Sequence, residues 1–134
     1  MREEKKEFIE PVVSALSRDC LVDGVSFTLP RSFPLNRIFD EILLVPRELF
    51  VKLPRTRYGY RTRYSFMGSI SVLTDGSRKD MGHEVHFKGE GCGFLLERMA
   101  EIAEIVIGNR GHITMVDLCA ARDYKNGGRT FYLH

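Results

Sequence analysis

Two aspartates, Asp23 and Asp117, stand inside stretches rich in β-branched and aromatic residues, and Asp123 follows shortly after the second. Carboxylates that converge from neighbouring strands can hold Mg²⁺ or Mn²⁺ through oxygen ligands, which is what metal-assisted phosphoryl transfer needs. The plainer reading is turn or capping aspartates, and sequence alone does not say whether Asp23 and Asp117 point the same way. Tyr132 lies in the last run of strand-forming residues. A tyrosine hydroxyl attacks a DNA phosphate when a metal polarises the scissile group. By composition alone it is an ordinary strand aromatic.

A second constellation is basic. The run KLPRTRYGYRTRY interleaves Lys52, Arg55, Arg57, Arg61 and Arg63 with Tyr58, Tyr60 and Tyr64. No acid follows until Asp75, and Arg78 and Lys79 extend the basic character. Guanidinium groups grip phosphates in pairs of hydrogen bonds, and aromatic faces stack on unpaired bases. In a strand, successive side chains alternate between faces. Arginines and tyrosines therefore segregate, which predicts an arginine ridge above a tyrosine-lined core rather than a mixed stacking platform. The bland alternative is a solvated basic edge that deters sheet pairing.

His83 and His86 flank Glu84 in the run HEVH. In a strand an i,i+3 pair points to opposite faces, so a shared metal is disfavoured, and the HExxH zinc spacing is absent. Glu84 and His86 share a face, which solvent exposure explains equally well.

The elements that must position these groups follow from patterning. The chain has 134 residues, 43% apolar and 28% charged, with 20 Lys and Arg against 18 Asp and Glu. That size suits one domain with a real core. The near-neutral balance excludes a histone-like basic protein and an acidic disordered tail. Cys20, Cys92 and Cys119 are too widely spaced for a zinc motif, and three reduced thiols are expected. No signal-type apolar segment opens the chain, and Ile105–Ile107 is far too short to span a bilayer, so a cytoplasmic domain without a membrane partner is expected.

Residues 1–19 read as an N-terminal helix or arm broken at Pro11, and residues 20–134 as a single domain. Strands are predicted over 20–29, 58–74, 82–89, 113–119 and 130–133, with Gly68 marking a bend. Helices are predicted over 35–44 and 94–108, the second capped at Gly108-Asn109. A βαββαβ order is the ferredoxin-like split arrangement: an α+β fold whose antiparallel sheet carries helices on one face, here with an extra C-terminal strand. Strands 20–29 and 112–119 should lie inside that sheet.

The runs LVDGVSFTL (21–29), YGYRTRYSF (58–66), DMGHEVHFKGEGC (80–92), HITMVDL (112–118) and GGRTFYL (127–133) occur in a familiar order. They resemble the catalytic half of the replication initiation factor family, which includes rolling-circle plasmid initiators and conjugative-element relaxases. The resemblance spans about residues 21–133. It implies nicking of one DNA strand with a divalent metal and covalent linkage through a tyrosine. It places Asp23 and Asp117 at acidic positions of the family's sheet and Tyr132 in the segment associated with the nucleophile.

The departures carry their own implication. Where the family's central strand continues with a second acidic pair, this chain reads Ala121-Arg122, and Gly91-Cys92-Gly93 lacks the usual following arginine and acid. A lost carboxylate beside a new cation disfavours Mg²⁺. Against the family, the length corresponds to about half a protein. The expectation is a mobile-element domain that kept fold and basic surface but lost nicking, needing no cofactor. It would bind nucleic acid or a nucleoprotein complex through Lys52, Arg55, Arg57, Arg61, Arg63, Arg78 and Lys79. An inhibitor of a host nuclease system, anti-CRISPR-like, is one form of such a binder, and a homodimer or a dimer with a full-length initiator is another mode of action. The rival expectation is a minimal nickase using Tyr132, Asp23, Asp117 and Mg²⁺ or Mn²⁺.

Overall fold

The computed structural model describes residues 20–54, 59–120 and 129–132. The arm predicted over 1–19, together with Arg55, Arg57, Tyr58 and Asp123, lies outside the described residues.

Strand β1 (Cys20–Leu29) sets the pattern for the whole sheet. Val25, Phe27 and Leu29 are buried on one face, whereas Ser26 and Thr28 alternate onto the other. The remaining strands are β2 (Val51–Leu53), β3 (Tyr60–Phe66), β4 (Ile70–Gly76), β5 (His83–Lys88), β6 (His112–Ala120) and β7 (Arg129–Tyr132). They form one antiparallel sheet in the order β2-β3-β4-β5-β1-β6-β7. Its inner run, β4-β5-β1-β6, is the ferredoxin-like strand order. β3 and β2 extend one edge and β7 the other.

The run expected as one strand over 58–74 is two. Phe66, Met67, Gly68 and Ser69 make a tight turn with both central residues at positive φ (51° and 70°), closed by Ser69 N–H donating to the Phe66 carbonyl at 3.0 Å. Those dihedral signs suit the twist of a hairpin, so Gly68 is a reversal of the chain and not a bend within it.

Among the described residues, helices cover one face only. α1 begins as a single α-turn (Leu35–Arg37) and continues as a π-helical stretch (Ile38–Leu43), ended by Leu44 at φ 53° ahead of Pro46. Ile38, Phe39, Ile42 and Leu43 are all buried. Phe39 meets Tyr64 and Phe50 edge-on at 5.4 and 4.9 Å between ring centroids. The long helix expected over 94–108 is also two: α2 (Glu90–Glu97) and α3 (Met99–Gly108), broken at Arg98. At the break Arg98 donates to the carbonyls of Glu41 and Ile42, satisfying acceptors that the end of α1 leaves open. α3 ends at Gly108 with Asn109 as its cap, as expected, and Arg110 follows in the left-handed region (φ 64°). Gly111 follows because a Cβ there would sit 2.5 Å from the Thr28 carbonyl oxygen.

The core lies between this helical layer and the facing side of the sheet. Phe27, Phe87, Val85, Val72, Leu95 and Ile102 are among its fully enclosed members. Each such side chain contributes about 1.5–3 kcal/mol by leaving water. His83 is buried there too. Its Nε2–H donates to the Phe33 carbonyl at 2.9 Å, and its Nδ1 accepts from the Thr74 hydroxyl at 2.7 Å.

Candidate functional site

The face of the sheet away from the helices carries the polar residues. Cross-strand registry lays them out in rows: Lys88, Gly24 and Asp117; then Ser71, His86, Ser26 and Met115; then Leu73, Glu84, Thr28 and His112. Together with Asp23, Arg63, Ser69 and Thr114, residues from these rows line a recess of about 420 Å³.

Two irregularities shape it. Between Val22 and Gly24 the registry of β1 on β6 skips, leaving Asp23 as an extra residue, and a second skip leaves Thr114 unpaired between Ile113 and Met115. A bulge of this kind turns an additional side chain onto a face that strict alternation would deny it. Asp23 and Asp117 thereby line the same recess. Gly24 keeps the space between strands open, because a Cβ there would lie 2.8 Å from Asp117 Oδ2.

Among the described residues, three side-chain atoms on this face are buried without a hydrogen-bond partner: Ser26 Oγ, Thr114 Oγ1 and Asp117 Oδ1. Native proteins rarely leave such groups unpaired unless something else completes them. Burial also pushes the Glu84 carboxyl above its ordinary value. Burial, with the negative charges of Asp23 and Asp117 adding to it, pushes the Cys92 thiol up to about 12.

The basic residues divide. Tyr64 is buried on the core side, and Arg63 lines the open recess, donating to Ser71 Oγ at 3.3 and 3.2 Å. The segregation of arginine from tyrosine is thus as the alternation predicts. Arg61 is exposed and faces Asp75 at 3.8 Å. Arg78 and Lys79 are exposed in the β4–β5 loop, where Arg78 pairs with Asp80 at 3.3 Å. Lys52 departs from the expected ridge: it pairs in registry with Tyr64 and so belongs to the helix-side row. His83 and His86 fall on opposite faces, as their spacing requires, and only His86 lines the recess.

Registry sets Thr130 opposite Asp117 and Tyr132 opposite Met115. Tyr132 is therefore at the position diagonal to Asp117 in the β6–β7 registry. Among the described residues, no group of three or more His, Cys, Asp or Glu side chains is close enough to hold a metal. Sequence reading passed over Ser26, Ser71, Lys88 and Thr114 and discounted Glu84. The signal that marks most of them is polar residues at every second position of strands whose other positions are apolar.

The geometry is thus that of an α+β domain with a ferredoxin-like sheet, whose face away from the described helices carries Asp23, Asp117 and Arg63 on one recess. The family model described as the rolling circle replication initiation protein N-terminal domain matches residues 19–106, and the chain belongs to that family. The matched stretch holds Asp23 but ends before Asp117 and Tyr132. A solved structure, that of a rolling circle replication initiator protein from Geobacillus stearothermophilus, aligns with a TM-score of 0.58 at 26% identity. The match covers 75% of this chain and 43% of that one, so the chain spans less than half the initiator's length. A search of curated proteins returned no match. No helix among the described residues is long and apolar enough to cross a membrane.

Proposed function

We propose that the open face of this domain binds a single DNA strand and presents one phosphodiester to Tyr132 for nicking, as a replication-initiator domain. The observation that carries this reading is the bulge at Asp23: Asp23 and Asp117 line one recess, in which Asp117 Oδ1 is buried without a hydrogen-bond partner. Two carboxylates with hydroxyls nearby are oxygen donors of the kind Mg²⁺ and Mn²⁺ take, and Asp23 and Asp117 are the residues that would hold such an ion. When bound, the ion would polarise the phosphodiester and neutralise developing charge. Arg63 and Lys88 anchor flanking phosphates. The Tyr132 oxygen bonds to phosphorus, the bond to the sugar oxygen on the other side breaks, the phenolic proton leaves and the departing oxygen is protonated.

The test is incubation with supercoiled DNA bearing the cognate origin and Mn²⁺. Open circles carrying covalently attached protein are expected, and they should vanish in Tyr132→Phe and fall at least tenfold in Asp117→Asn.

A second reading keeps the surface and drops the chemistry. It is favoured by the sequence, which reads Ala121-Arg122 where the resembled family continues with a second acidic pair. The domain then acts by occupying DNA or a nucleoprotein complex, as an inhibitor of a host nuclease system or as a partner that blocks a full-length initiator. Intact supercoils together with strand binding unaffected by Tyr132→Phe would select it.

A further inference from the structure

The recess contains a group that nicking does not use. Glu84 stands opposite Thr28 in registry, whereas Gly24 pairs with Asp117, so four residues of β1 separate it from the carboxylate pair. At about 3.3 Å per residue that is roughly 13 Å. Glu84 is half-buried and makes no hydrogen bond or ion pair with another described residue. On the same face are the buried, unpartnered hydroxyls of Ser26 (1% exposed) on the neighbouring strand β1 and of Thr114 one strand further, on β6.

A half-buried carboxylate repels phosphate, so its place on a strand-binding face is not explained by backbone contact. Apart from His86, the residues that line the recess carry no ring, which makes hydrogen bonding its main means of recognition. The cavity falls within the range of about 300–1,000 Å³ usual for small-ligand sites. Bases of single strands are read along their Watson–Crick edges. Among the four DNA bases, only guanine presents two adjacent donors there, N1–H and the exocyclic amine, to match the two oxygens of a carboxylate.

We propose that this recess takes one unstacked guanine of the bound strand, Glu84 accepting from N1–H and the amine while the Ser26 and Thr114 hydroxyls bond the remaining polar atoms. The assignment rests on the reading that the open face carries DNA, with or without nicking.

The experiment is fluorescence anisotropy with a labelled oligothymidine and with the same oligomer carrying one central dG, dA, dC or deoxyinosine. The dG oligomer should bind roughly tenfold tighter than the others, with deoxyinosine between, as expected of a two-hydrogen-bond base contact. Glu84→Gln should erase that preference and leave oligothymidine affinity the same or tighter, and Ser26→Ala should reduce the preference several-fold in a protein that still folds. Equal affinity for all oligomers, or a preference that survives Glu84→Gln, overturns the guanine site while leaving strand binding intact. Failure to bind oligothymidine at all overturns the DNA-bearing face and the guanine site with it.

Discussion

On the helix-covered side of the sheet His83 finds a partner for each ring nitrogen, while on the open side Ser26, Thr114 and Asp117 each keep a buried oxygen with none. The two sets sit on three neighbouring strands, β5 for His83 and β1 and β6 for the others, and His83 and Glu84 are chain neighbours. The difference teaches where completion comes from. Groups on the core side are satisfied by the fold itself, so they hold it together. Groups on the open side are left incomplete by the fold, which is how a surface looks when a ligand supplies the missing partners.

The sharpest way to break this contrast is to remove one side chain from each face. Phe87→Ala, in the core, should cost about 3–5 kcal/mol. Ser26→Ala, equally buried but unpartnered, should be neutral or slightly stabilising, because no hydrogen bond is lost and a desolvated hydroxyl goes. Urea titration of both variants measures the difference. A loss above 2 kcal/mol in Ser26→Ala would show that its hydroxyl is already satisfied.

His83 offers a smaller effect. Burial holds its imidazole below the ordinary value near 6.5, against the upward pull of the Phe33 carbonyl. A histidine depressed in the folded state adds stability above its unfolded value, and that stability drains as pH falls toward the folded value. The urea midpoint should therefore drop between pH 7 and pH 5, with a flatter profile in His83→Gln. Removing its two buried hydrogen bonds should itself cost about 1–3 kcal/mol.

The smallest effect separates two arginines on one strand. Arg61 already faces Asp75, whereas Arg63 bonds only a neutral hydroxyl. In DNA binding, Arg63→Ala should lower the slope of log affinity against log salt by about 1, and Arg61→Ala by less. Equal changes would mean that the recess does not direct the strand.

How much of this was legible beforehand depends on what alternation can encode. The βαββαβ order and the division of Arg63 from Tyr64 were visible, because period-two patterning reports faces directly. The hairpin at Met67-Gly68 was not. Phe66 and Ile70 both return to the core face, so apolar alternation runs through the turn as if no reversal occurred. The break at Arg98 was hidden for a similar reason: Leu95, Met99, Ile102 and Val106 fit one continuous stripe, and only the carbonyls of α1 explain why the arginine interrupts it. At the site, Asp23 and Asp117 were singled out by type. Their shared face was invisible, since it depends on a skipped pairing between strands some ninety residues apart. Glu84 was set aside because a carboxylate in a half-open strand looks like solvated surface until its neighbours are seen to be unpaired.

The extra residue at Asp23 has one more consequence. A strand is a two-state counter, and inserting one residue inverts its parity for everything upstream. Deleting Asp23 would therefore do more than subtract a carboxylate. It would exchange the inward and outward assignments of the residues before it, or slide β1 along β6 to avoid doing so. The position should tolerate substitution more readily than deletion, because a one-residue length change there is a frameshift written in geometry.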